Sequence, residues 1–151
     1  MCSEEKNVFY SYFRRERAAY VRRMSRYDIV GISITSKAQL IPALTLCYRL
    51  RQLNRKQVLF LGGNYISRLV SCHEKKLGFI FRYVDFLSCF EGEPLIEAIT
   101  RIKIKSREVV LDVARHVGGV LVKERGGKVI YMPARLRCAH NVACPNFDGF
   151  P

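Results

Sequence analysis

Polar side chains and glycines follow each of three apolar runs, at the points where strands would end. They are Ser33, Thr35 and Ser36 after the first run, Gly62, Gly63 and Asn64 after the second, and Glu91, Gly92 and Glu93 after the third. Hydroxyl groups can hydrogen-bond a polar ligand, and glycine, which lacks a Cβ, lets a flat or bulky group approach the backbone. Ordinary turn and helix-capping chemistry explains any one of these groups alone. Their succession along the chain favours a binding site.

A second set of chemically capable residues lies near the end of the sequence. Cys138, His140 and Cys144 offer three soft ligands of the kind that Zn²⁺ prefers. The sequence has no CxxC pair to supply a fourth ligand, so a linker with incidental thiols is the alternative, and no metal ligand is assigned. The six cysteines are scattered, which is typical of thiols in a reducing compartment and not of a disulfide framework.

Apolar periodicity predicts the elements that would position the polar groups. Two-sided apolar runs predict strands at 28–35, 57–61 and 83–89, and spacings of three and four predict helices at 8–26, 37–54, 65–76 and 94–103. This alternation indicates right-handed crossovers and a parallel sheet, in which ligands bind beyond the carboxyl ends of the strands. Two short apolar runs around Glu124 predict a hairpin over 118–131, and 133–151 is interpreted as a linker.

The composition restricts the class of protein. The chain has 151 residues, of which 49% are hydrophobic and 26% charged, and these figures fit a single globular domain and exclude wholesale disorder. No apolar run reaches the roughly 18 residues that a membrane helix needs. The N-terminal residues also lack the cationic segment followed by an apolar segment that marks a secretory signal. We therefore expect a cytoplasmic protein without a membrane partner. The net charge of +13 raises the expectation of an anionic partner.

The strand-end residues resemble a known family. Ser33-x-Thr35 followed by Gly62-Gly63 is similar to the second half of the cobalamin (vitamin B12) binding fingerprint. Asp28-Ile-Val-Gly-Ile-Ser-Ile-Thr, Gln39-Leu-Ile-Pro-Ala-Leu, Leu61-Gly-Gly-Asn, Tyr83-Val-Asp and Glu91-Gly-Glu-Pro occur in the order seen in cobalamin-dependent radical SAM proteins, in the B12-binding region before the catalytic barrel. The hairpin and the closing residues 145–151 resemble the linker that leads into that barrel. The resemblance covers roughly residues 8–151.

The resemblance implies a role for each group of residues. Ser33 and Thr35 would contact the lower ligand or nucleotide tail of cobalamin, and Gly62 with Gly63 would line its slot. Glu91, Gly92 and Glu93 match the family's Gly-Glu-Gly-Glu turn, except that Phe90 replaces its first glycine. The Asp-x-His-x-x-Gly element that supplies a cobalt ligand in other B12 proteins does not occur. The family's first strand is also missing, which would leave a central sheet edge open and suggests an N-terminally truncated or split chain.

The resemblance further implies a division of the chain and of its chemistry. Residues 1–107 would form a partial Rossmann-like (flavodoxin-like) parallel sheet with flanking helices, 108–132 a helix and hairpin extension, and 133–151 the linker. The Cys-x-x-x-Cys-x-x-Cys motif for a [4Fe–4S] cluster is absent, so the cluster and S-adenosylmethionine would belong to a barrel outside this chain. We expect a cobalamin-binding module that performs no catalysis alone and partners such a barrel.

A different function stays open beside this one. The first predicted helix contains arginines at positions 14, 15, 17, 22, 23 and 26. Such a helix attracts the phosphate backbone of a nucleic acid whatever its base sequence. The alternative is a basic interaction module that binds nucleic acid. Tyr10, Tyr12, Phe13 and Tyr20 interleave with these arginines at helical spacing, which is more typical of core packing than of base stacking. The preferred interpretation therefore expects no nucleic-acid partner.

Overall fold

The computed structural model describes residues 7–103, 106–124 and 126–134, which form an α/β fold around one five-stranded sheet. The strands are β1 (Ile29–Ser33), β2 (Val58–Gly62), β3 (Phe86–Ser88), β4 (Val120–Lys123) and β5 (Val129–Met132). They lie side by side in chain order, with β1 to β3 parallel and with β4 and β5 antiparallel to their neighbours. The predicted parallel strands and the hairpin are confirmed. The sheet is nevertheless mixed, because the hairpin pairs with β3 and extends it.

Two helices precede β1, and four lie in the connections between the strands up to β4. They are α1 (Val8–Arg14), α2 (Ala18–Met24), α3 (Leu40–Leu53), α4 (Asn64–His73), α5 (Glu93–Thr100) and α6 (Arg107–Val117). Helix α3 links β1 to β2, and α4 with a 3₁₀ segment over Glu74–Arg82 links β2 to β3. Helices α5 and α6 together link β3 to β4. The crossovers that the apolar periodicity predicts are therefore present.

Both faces of the sheet are packed against helices. On one face, buried residues of α3 and α4, among them Leu50 and Ile66, pack against Leu59, Leu61 and Leu87 of the strands. On the other face, α5 and α6 cover β3 and β4 through buried apolar residues. They are Leu95, Ile99, Val110 and Ala114 of the helices and Phe86, Val120 and Val122 of the strands. This arrangement explains why the strands are apolar on both sides.

The single helix predicted over 8–26 is wrong. The structure has α1 and α2 instead, separated at Arg15–Arg17, and the backbone N–H of Arg17 donates to the carbonyl of Tyr12. Arg14, Arg15, Glu16 and Arg17 are all exposed, so this stretch has no apolar side chain to bury against α3. Neighbouring arginines also repel each other along a helix surface. The Arg17 side chain turns back and donates to the Tyr12 hydroxyl at 2.7 Å.

Strand β1 lies at the end of the sheet as far as the described residues show. The Val58 N–H donates to the Asp28 carbonyl, and the Ile34 N–H donates to the Gly62 carbonyl. The backbone N–H and C=O groups of the even-numbered residues of β1 therefore point towards β2. Successive residues of a β-strand direct their backbone N–H and C=O groups to opposite sides. The backbone groups of Ile29, Gly31 and Ser33 therefore point to the open side. Among the described residues, no helix is long and apolar enough to cross a membrane.

Candidate functional site

A cleft of about 680 Å³ opens at the carboxyl ends of the three parallel strands, on the face that carries α5. Helices α5 and α6 cover β3 and β4 on this face, and the neighbouring surface of β1 and β2 forms the floor of the cleft. Phe60, Ile96 and Ile99 give the cleft an apolar lining. Ser33, Ser88 and the carboxylates of Glu91 and Glu93 add polar groups. The cleft can therefore hold a ligand that has a flat apolar part and hydrogen-bonding groups at its periphery.

Six of the nine residues predicted for a site line this one cleft: Ser33, Gly62, Gly63, Glu91, Gly92 and Glu93. They come together because β1, β2 and β3 are parallel and adjacent, so their carboxyl ends share one edge of the sheet. Ser33 lies directly opposite Gly62 in the register of β1 and β2.

The other three predicted residues lie outside the lining of the cleft. The Oε1 atom of Gln39 accepts hydrogen bonds from the backbone N–H groups of Thr35 at 2.8 Å and Ser36 at 3.3 Å. The Thr35 hydroxyl donates to the same oxygen at 3.2 Å. These residues thereby organise the start of the α3 segment, which is the capping role that the sequence left open. Asn64 is exposed at the first position of α4.

The two adjacent glycines serve different purposes. Gly63 has a φ of +94°, and a Cβ there would lie 2.6 Å from the Ile34 carbonyl oxygen, so the fold itself requires glycine. A Cβ on Gly62 would meet only Ser88, at an ordinary 3.5 Å. The fold therefore does not demand glycine at position 62. What the glycine does at this position is keep the cleft free of a side chain.

The floor of the cleft contains residues that no sequence motif indicates. Gly31 pairs with Phe60 in the register of β1 and β2, and a Cβ on Gly31 would clash with the Phe60 ring. The ring therefore lies across the glycine, and it stacks on Phe86 with centroids 4.8 Å apart and planes at 8°. A glycine in the middle of a strand is a known sign of close approach. Gly31 could therefore be predicted to lie close to another group, but the sequence does not indicate that this group is the Phe60 ring.

The turn after β3 is anchored to α4 by a buried serine. The Oγ atom of Ser67 accepts a hydrogen bond from the backbone N–H of Phe90 at 2.7 Å. The Ser67 hydroxyl in turn donates to the Gly63 carbonyl at 3.3 Å. Ser67 therefore connects the turn after β2 with the turn after β3, two parts of the cleft wall. No motif pointed to it, because its role depends on a contact between residues 23 positions apart.

Thiols and histidines do not form a cluster in the part of the chain that is described. Burial raises the pKa of the Cys47 and Cys89 thiols to about 12, whereas Cys72 is exposed. Within the described ranges there is no group of three or more His, Cys, Asp or Glu residues able to hold a metal ion. Cys138, His140 and Cys144, like most of the linker predicted over 133–151, lie outside these ranges.

No protein-family model, curated protein or solved structure matches this chain. The geometry of the cleft and the chemistry of its lining are therefore the basis for a functional proposal.

Proposed function

We propose that this chain is a cobalamin-binding module with a Rossmann-like fold, and that the cleft beyond β1, β2 and β3 takes the corrinoid. The observation that carries the proposal is the convergence of Ser33, Gly62, Gly63 and the 91–93 turn on one cleft. Ligands of open parallel sheets bind beyond the carboxyl ends of the strands. The module would supply the cofactor to a radical SAM barrel that lies outside this chain. The [4Fe–4S] cluster and S-adenosylmethionine would belong to that barrel.

The lining of the cleft fits the chemistry of a corrinoid. Cobalamin combines a conjugated macrocycle bearing amide side chains with a benzimidazole nucleotide, and it is larger than the cleft. The benzimidazole end of cobalamin can rest on the apolar floor at Phe60, while the amide-bearing macrocycle stays at the open mouth of the cleft. The carboxylates of Glu91 and Glu93 are exposed there and can accept hydrogen bonds from amide N–H groups. Two carboxylates disfavour a ligand that presents mainly phosphate.

The glycine at position 62 also supports the proposal. Its neighbours would tolerate a Cβ, so an empty position there serves the cleft and not the fold. The described histidines, His73 and His116, do not line the cleft, so we assign no described residue as a cobalt ligand.

The proposal is tested by binding of cyanocobalamin to the purified chain. Its cyanide ligand avoids exchange with the exposed Cys72 thiol. We expect the corrinoid to travel with the protein on gel filtration and its absorption spectrum to shift. Gly62→Leu fills the cleft and abolishes this comigration, whereas Gly126→Leu, at a glycine with open space around it, retains it. Separation of cyanocobalamin from the folded native chain, or full binding by Gly62→Leu, would refute the proposal.

A second candidate function is supported by the surface of α1 and α2. We define the arginine surface as the residues Arg14, Arg15, Arg17, Arg22, Arg23 and Arg26, all of which are exposed. Tyr20 and Tyr27 lie in the same segment and are 56% and 54% exposed, so the expectation that Tyr20 belongs to the core is wrong. Exposed aromatic rings among arginines are typical of surfaces that bind single-stranded nucleic acid by charge and base stacking. This function would be independent of the cleft.

A further inference from the structure

Phe90 has a backbone conformation that its residue type disfavours. Its φ is 61°, and it is the sole non-glycine residue with positive φ in the described part of the chain. In this left-handed region the Cβ of an L-residue crowds the following carbonyl oxygen, a cost that glycine does not incur. Phe90 is 60% exposed, so burial of the side chain does not offset that cost. The fold alone would be served better by glycine.

The backbone conformation of Phe90 is fixed by two hydrogen bonds, one to α4 and one to the start of the hairpin. The Phe90 N–H donates to the buried Ser67 Oγ, and the adjacent Cys89 N–H donates to the Gly119 carbonyl at 2.7 Å. The backbone around Phe90 is therefore held by α4 and by the start of the hairpin. Strain of this kind persists where the surroundings over-determine a conformation, and such residues cluster at ligand sites.

Phe90 lines the same cleft as Gly62, Glu91 and Phe60. An exposed ring on a fixed backbone presents its face to a ligand at little cost in conformational entropy. We propose that Phe90 is a specificity-determining residue that holds a planar conjugated group of the ligand by face contact. The inference deepens the proposed function and rests on it in taking the corrinoid as the ligand. Phe90 acts here through its side chain, at a position where the related motif has glycine.

The inference is tested with three variants of Phe90 and two probes. Phe90→Gly removes both the ring and the strain, Phe90→Leu removes the ring and keeps the strain, and Phe90→Tyr keeps both. Cyanocobalamin and free 5,6-dimethylbenzimidazole are titrated against each purified chain, and thermal unfolding is followed in parallel. We expect Phe90→Gly and Phe90→Leu to bind about tenfold more weakly, the size of effect that loss of an aromatic contact produces. Phe90→Tyr binds within about twofold of the native chain.

The unfolding data separate ligand contact from folding. Phe90→Gly is expected to unfold at a temperature no lower than the native chain, since glycine adopts the required φ without strain. Unchanged affinity of Phe90→Gly for cyanocobalamin would overturn the inference and leave the proposed function standing. Phe90-dependent binding of dimethylbenzimidazole without any binding of cyanocobalamin would support the inference and overturn the corrinoid proposal. Binding of neither probe would overturn both.

Discussion

The Oδ2 atom of Asp85 accepts a hydrogen bond from Nη2 of Arg51 at 2.8 Å, and no part of the Asp85 side chain is exposed. The same oxygen accepts the backbone N–H of Leu59 at 2.8 Å. Oδ1 lies 2.5 Å from Nη2 of Arg107, an ion pair whose geometry falls short of a hydrogen bond. One carboxylate therefore joins the start of β3 to α3, β2 and α6. These contacts fix the amino edge of the sheet, opposite the edge that carries the cleft.

Replacement of this carboxylate should destabilise the whole domain. Asp85→Asn leaves two partly exposed guanidinium groups facing a neutral side chain, and loss of a hydrogen bond to a charged group costs about 1.5–3 kcal/mol. Urea unfolding followed by circular dichroism measures the loss. Asp112→Asn is the matched control, because its partner Arg115 lies on the surface of the same helix and Asp112 is 65% exposed. A surface pair contributes at most about 1 kcal/mol. Equal losses in the two variants would contradict the structural role of Asp85.

The adjacent glycines should respond differently to the same substitution. Gly63→Ala places a Cβ against the Ile34 backbone at a positive φ, and we expect it to lower the free energy of unfolding by about 1–3 kcal/mol. Gly62→Ala has ordinary contacts and should change stability by less than about 0.5 kcal/mol. Denaturant titration of the two variants checks both values. A larger loss at Gly62 than at Gly63 would mean that the turn after β2 has a different conformation.

Thiol reactivity should distinguish the described cysteines. In a chain with Cys2, Cys138 and Cys144 replaced by serine, one thiol, that of Cys72, should react rapidly with an aromatic disulfide reagent at pH 8. Burial keeps the Cys47 and Cys89 thiols protonated, and the thiolate is the reactive form. Both should react only after unfolding in urea. Rapid reaction of two or three thiols in the folded chain would contradict their burial.

The same burial gives stability a dependence on alkaline pH. The folded pKa of Cys47, about 12, lies above the unfolded value of about 8.5, so the unfolded chain loses this proton first as pH rises. The contribution is complete below about pH 8.5 and declines towards pH 12. The free energy of unfolding should therefore fall more steeply between pH 8 and 10 in the native chain than in Cys47→Ala. Parallel slopes would show that the thiol does not contribute.

Binding of nucleic acid by the arginine surface should depend on position and not only on charge. Arg15→Gln, Arg22→Gln and Arg23→Gln combined should weaken binding of a single-stranded oligonucleotide at least tenfold at low salt, and should reduce the salt slope by about 2. The matched control combines Arg68→Gln, Arg101→Gln and Arg115→Gln, which removes the same charge elsewhere. Fluorescence anisotropy over a range of salt concentrations measures both effects. Equal weakening by the two triple variants, or no binding by the native chain, would exclude this function.

Much of the fold follows from local patterns in the sequence. Apolar runs mark β1, β2 and the hairpin, and the structure has them there. The run at β1 ends at hydroxyl residues, and glycines follow the run at β2 and lie in the hairpin turn. The break between α1 and α2 was not predicted, because helical periodicity weighs Phe13 and Tyr20 alike. In the structure Phe13 packs on the core and Tyr20 does not. That difference depends on tertiary packing against α3.

The cleft was predictable at its rim and not at its floor. Ser33 and Gly62 lie at strand ends and Glu91 follows one, positions that can be read from one sequence. The contact of Phe60 with Gly31 depends on the register of two strands, and the link between Ser67 and Phe90 depends on how α4 lies against β3. The positive φ of Phe90 was unforeseen for a further reason. A phenylalanine gives no sign of a conformation that residue statistics assign to glycine.

The outward-facing backbone of β1 has a consequence for the behaviour of the chain in solution. Within the described part of the chain, Ile29, Gly31 and Ser33 offer unpaired donors and acceptors along a strand that carries no lysine, proline or bulge to block edge-to-edge contact. The net charge of +13 opposes such contact by mutual repulsion between chains. Added salt screens that repulsion over a distance of about 10 Å at 0.1 M. Colloidal stability of this protein is therefore governed by ionic strength, with dilute buffers favouring dispersed monomers and concentrated salt favouring association through the sheet edge.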